Sequence, residues 1–132
     1  MVKLLIMGVG LFFLLGVGLA DADVPGSEDA LKHMGVALAE VEKAVKHARQ
    51  GQVEEMTTHS HKAIQHAQQA IEVLPTGNPH GREAYSLLKE AIANLTDAVQ
   101  LVDGGHTKKA ADRVHTALDF ADAAISHLRH SH

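Results

Sequence analysis

Apolar positions recur along this chain at alternating intervals of three and four residues, the period of a helix that buries one face. The first run is Leu31, Met34, Leu38, Val41, Val45 and Ala48. Pro25-Gly26-Ser27 precedes it, a breaker followed by a residue suited to the N-cap. Gly51 follows it, in the place where a helix end favours glycine. The second run is Val53, Met56, Ser60, Ala63, Ala67, Ala70 and Leu74, stopped by the Pro75 to Pro79 stretch. Asn78-Pro79 reads as an N-cap with proline in the first helical position, opening a third helix. Its seam is Ala84, Leu88, Ala91, Leu95, Ala98 and Val102, and Gly104-Gly105 ends it. The fourth seam is Ala111, Val114, Leu118, Ala121, Ile125 and Leu128.

The pattern repeats with an offset of 54 residues: Gly51 matches Gly105, His61-Lys62-Ala63 matches His115-Thr116-Ala117, and Ala67, Ala70, Ile71 and Leu74 match Ala121, Ala124, Ile125 and Leu128. The repeated unit is an αα-hairpin. Turns too short for crossovers join the helices, so the prediction is an all-α, up-down-up-down four-helix bundle built from two repeated αα-hairpins. Helices of roughly 23 residues span about 35 Å at 1.5 Å per residue.

Ahead of the hairpins, Lys3 is followed by residues 4–20, all uncharged, and then by Ala20-Asp21-Ala22. This is the layout of a cleavable export signal, predicting a signal peptide over 1–22, a helical domain over 23–132, and a periplasmic or secreted product without stable membrane insertion. An uncleaved anchor is the competing reading, because 17 residues lie near the lower limit for a spanning helix. The chain has no cysteine, which removes disulfides and thiolate ligands together. Beyond the leader only Tyr85 and Phe120 are aromatic, so alanine and aliphatic residues must build the core. The formal charge of −4 and the lack of a basic stripe argue against nucleic acid. An enzyme is not expected: no nucleophile–base set or phosphate loop is present, and close-packed helices leave little room for a pocket.

The 11 histidines, all beyond residue 22, change the picture. On helical wheels none enters a seam: His59 and His66 lie on one flank of the second helix, His61 on the other, His33 and His47 on the outer face of the first, and His115 beside the fourth seam. Side chains three or four apart on a helix can share an ion. Asp29 with His33, Glu55 with His59, His80 with Glu83, His115 with Asp112 and Asp119, and His127 with His130 have that spacing, and Asp122 extends the stripe of the fourth helix. His47 near the Gly51 turn, with Glu55 and His59, forms a candidate three-ligand site. The candidate ligands are therefore His33, His47, Glu55, His59, His61, His66, His80, Asp112, His115, Asp119, His127 and His130. Two or three imidazole and carboxylate donors completed by water suit Cu(II) first, then Ni(II) and Zn(II), rather than a closed structural zinc centre. Metal-bridged self-association is a further expectation.

Ala44-Val45-Lys46-His47-Ala48, Ala63-Ile64-Gln65-His66-Ala67-Gln68-Gln69-Ala70-Ile71 and Ala124-Ile125-Ser126-His127-Leu128-Arg129-His130-Ser131-His132 resemble the repeats of the periplasmic small metal-binding proteins. That resemblance implies a four-helix bundle that holds several divalent ions, copper foremost, as a scavenger or buffer. It carries most directly onto His47, His66 and His127. The chain departs from the pattern in having fewer histidines and none in its third helix after His80. Two other functions compete. One is a helical interaction or chaperone-like module whose histidines are solvated surface. The other is a haem-binding bundle using Met34 and His127, for which core packing of Met34 is the simpler account.

Overall fold

The structure is a computed structural model and describes residues 26–130. The expected signal segment over 1–22 lies outside the described residues. Four helices run in chain order: α1 (Ser27–Arg49), α2 (Val53–Val73), α3 (Pro79–Asp103) and α4 (Thr107–Arg129). α1 packs closely on α2 and α3 on α4, and the two hairpins meet through α1 against α4 and α2 against α3. This is the expected up-down-up-down four-helix bundle. No helix of the described residues is long and apolar enough to cross a membrane.

The helix ends follow from local chemistry. After α1, the Gln52 amide donates to the His47 carbonyl (2.9 Å) and the Gly51 amide to that of Ala48 (3.2 Å). This double closure needs a left-handed residue between them, and Gly51 supplies it at φ 73°. Asn78 caps α3 as expected, its Oδ1 accepting from the Gly81 amide at 2.7 Å with Pro79 in the first turn. A Cβ on Gly81 would run into the Pro75 carbonyl, so the chain can pass this close only at glycine. One cap differs from expectation. Gly26, in the left-handed region, is the N-cap of α1, while Ser27 is already helical, buried, and has no partner for its hydroxyl.

The buried faces are also turned slightly from the predicted seams, toward alanine. In α1 the deepest positions are Ala30, Met34, Ala37, Val41 and Ala44, with Leu31, Leu38 and Ala48 at the margin. In α4, Ala110, Ala117 and Ala124 are fully buried while Ala111 and Leu118 are marginal. Small residues on the axis of contact let helices approach, and the larger aliphatics close the gap from the sides. The core has two parts. One, around Met34, Leu88, Ile125 and Leu128, lies toward the Pro75–Pro79 loop, and the other, around Val41, Met56, Leu95 and Val114, lies toward the glycine turns. Met34 is 1% exposed within the first, as the packing account requires.

Candidate metal-binding seam

Because alanine lines the contact between α1 and α2, the residues flanking it reach across to the neighbouring helix. On α1 these are His33, Glu40 and His47, seven residues apart; opposite, running the other way, they are His66 and His59 on α2 and Gln52 at its N-cap, at the same interval. Seven residues are close to two helical turns, so each set stays on one side of its helix. The helices are antiparallel and the stripes meet in layers: His33 beside His66, Glu40 beside His59, and His47 beside Gln52. His33 and His47 are thus half-buried in the α1–α2 groove rather than on the outer face of α1.

Side-chain hydrogen bonds across the seam hold two of these layers. Nδ1 of His59 lies 2.5 Å from Oε2 of Glu40, with the two side chains 19% and 12% exposed. Lys43 Nζ approaches the other carboxylate oxygen at 3.3 Å. Burial pushes the Glu40 carboxyl up, but the hydrogen bonds from His59 and Lys43 and the charges behind them outweigh it and hold it below the ordinary carboxylate value. An ionised carboxylate only accepts, so Nδ1 of His59 carries the proton and, in the neutral ring, Nε2 presents its lone pair. His47 is tied in the same way, its Nδ1 donating to Oε1 of Gln52 at 2.6 Å. The two rings stack with centroids 5.1 Å apart and planes 6° from parallel. Both imidazoles are therefore orientated through Nδ1 and keep Nε2 for a ligand, the arrangement that outer hydrogen bonds give metal-binding histidines.

The next layer pairs His33 with His66, centroids 6.3 Å apart. Nδ1 of His66 is buried without a hydrogen-bond partner. A buried polar atom in that state costs free energy unless an ion or water meets it. In the other hairpin, His80 of α3 faces His127 of α4 at 6.2 Å, near the Pro75–Pro79 loop. All three pairings are between helices; the sequence pattern anticipated His47 with His59 across the Gly51 turn, while its other pairs were three or four apart on one helix.

The remaining candidates are placed differently. Glu55 is exposed, and the carboxylate on His59 is Glu40. His61 is exposed on α2. Asp112, His115 and Asp119 are exposed on α4, but Nε2 of His115 accepts from the Arg49 guanidinium at 2.9 Å, so its lone pair faces a fixed cation. His127 turns to His80, while His130 donates from Nδ1 to the Ser126 carbonyl at 2.6 Å. Among the described residues no group of three or more His, Asp or Glu side chains is arranged to hold an ion. The expected three-ligand set of His47, Glu55 and His59 is thus not formed, and what the fold supplies is imidazole pairs. Glu40 and Gln52 were missed, although their spacing of seven from His47 and His59 is visible in the sequence.

The small metal-binding protein family model matches residues 1–131, nearly the whole chain. No curated protein and no solved structure matches it.

Proposed function

The chain belongs to the small metal-binding protein family, and from that premise we propose that it binds divalent transition-metal ions in the periplasm, as a buffer or scavenger, along the α1–α2 seam. The observation that carries this reading is the His47–His59 stack, with both Nδ1 atoms engaged and both Nε2 atoms left for an ion. The two imidazoles would hold the ion, and water would complete its shell. Such an open, nitrogen-rich site favours Cu(II), then Ni(II) and Zn(II), in the order of their general affinities. A site with few protein ligands exchanges its ion readily, which suits buffering better than a permanent structural role. The leader-like sequence over 1–22 supports export.

The test is a competition titration of the chain with Cu(II), Ni(II) and Zn(II) at pH 7.5 and pH 5, beside the His47→Ala/His59→Ala variant. Tight binding at pH 7.5 that is lost at pH 5, with at least one ion fewer in the variant, is the expected result. Binding that persists unchanged at pH 5, or a variant with unaltered stoichiometry, would overturn it. Sedimentation with and without Cu(II) reads out metal-bridged association in the same samples.

A further inference from the structure

The second hairpin repeats the frame of the first with different groups in its seam. Its turn closes through the same hydrogen bonds 54 residues on: His106 N–H to the Leu101 carbonyl (2.7 Å) answers Gln52 to His47, and Gly105 N–H to Val102 (2.9 Å) answers Gly51 to Ala48. Gly51 and Gly105 have φ of 73° and 81°. The buried positions correspond as well, with Ala37, Val41 and Ala44 matched by Ala91, Leu95 and Ala98. A shift of 54 therefore carries a residue of the first hairpin to the same place in the second.

Carried across, Glu40 becomes Asn94, His47 becomes Leu101, His59 becomes Arg113, Lys43 becomes Asp97 and Gln52 becomes His106, so one imidazole stands at this end without a second facing it in the seam. Asn94 is buried and donates to the Glu90 carbonyl of its own helix at 2.9 Å. Leu101 joins the apolar cluster at the turn end. Arg113 Nε bonds Asp97 Oδ2 at 2.9 Å. Where the first hairpin sets an imidazole against a carboxylate, the second sets a guanidinium against one. A guanidinium stays charged throughout the working pH range and offers no lone pair.

We propose that the glycine-turn end of the α3–α4 seam is a metal-silent copy of the α1–α2 site, in which Arg113 is the resident cation, so that at this end of the bundle only the first hairpin takes an ion. The inference rests on the metal reading of the α1–α2 seam. It assigns unequal roles to two halves of one repeat. The second hairpin carries its counter-charge permanently, while the first exchanges its ion. The His80–His127 pair, at the opposite end, is a separate location.

Transplanting the first site tests this. The full chain carrying Asn94→Glu, Leu101→His and Arg113→His is titrated with Cu(II) and with Ni(II) at pH 7.5, stoichiometry being read by equilibrium dialysis and folding by circular dichroism. The same change is made on the His47→Ala/His59→Ala background. The expected result is one more ion than wild type for the transplant, and restoration of the ion lost from the background variant. If the buried Asn94→Glu change costs the fold, Leu101→His/Arg113→His replaces it with the same expectation. A folded transplant that gains no ion overturns the proposal. So does a wild type whose stoichiometry is insensitive to His47→Ala/His59→Ala but falls when Leu101 and Arg113 are replaced by alanine. A wild type that binds no ion overturns the metal reading as well, which separates the two failures.

Discussion

Removing Glu40 probes the seam most directly, because this residue touches a proposed ligand without being one. Its carboxylate lies 2.5 Å from Nδ1 of His59 and is 12% exposed. It does two things there: it fixes the ring and keeps the proton on Nδ1, leaving the Nε2 lone pair for an ion, and its charge makes that nitrogen a better donor. Loss of such an outer partner lowers metal affinity about 10- to 100-fold, which corresponds to roughly 1.4 to 2.7 kcal/mol. Glu40→Ala removes both effects and belongs in that range. Glu40→Gln keeps an acceptor but loses the charge, and is expected at about tenfold or less, near the lower bound. Lys43 opposes the incoming ion from a position 55% exposed; screened by water, its replacement by alanine should strengthen binding by only about twofold. The assay is competition against a chromophoric chelator for Cu(II) at pH 7.5, with stoichiometry checked for each variant. The ranking wild type, Gln variant, Ala variant is the prediction. A folded Glu40→Ala protein that binds within twofold of wild type would refute the argument that Glu40 positions a ligand.

Other perturbations test the fold and its link to the seam. The Glu40 carboxyl is held below its ordinary value of 4.5, so the stability it contributes is present above that pH and is lost as pH falls through the lower folded value; the gap in melting temperature between wild type and Glu40→Ala should shrink over that window. Leu88→Ala, at a residue 1% exposed, should cost about 2–5 kcal/mol in urea unfolding, with metal stoichiometry unchanged while the protein remains folded. Ala63→Leu wedges a fully buried alanine contact and should cost about 1–3 kcal/mol; by spreading the helices it should also weaken Cu(II) binding, and unchanged affinity would count against close packing as the cause of the His47–His59 approach. Gly81→Ala drives a Cβ into the Pro75 carbonyl and should lower stability by about 1–3 kcal/mol in thermal unfolding.

The repeated period of three and four, the glycine and proline stops, and the offset of 54 were enough to define four helices, their order and the bundle. These signals are local, or depend only on which face of a helix is apolar, and short turns leave few ways to pack four such helices. Gly51, Asn78 and Pro79 could be read as caps because their roles depend on backbone conformation within a few residues. The histidine excess likewise pointed to metal before any geometry was known.

What only the tertiary structure decided is which side chains meet in each layer of the seam. Partners on one helix can be counted from spacing, but partners on two helices depend on the rotation of each helix and on the register between them. Alanine set that rotation, turning Ala30, Ala37 and Ala44 inward and bringing His33, Glu40 and His47 to the groove. The Gly51 turn set the register, placing Gln52 beside His47 and, one layer on, His59 beside Glu40. The same turn and alanine frame in the second hairpin placed Arg113 on Asp97 instead. The stripes of seven were present in the sequence throughout, but they became a site only when two antiparallel helices, close enough to touch, laid one against the other.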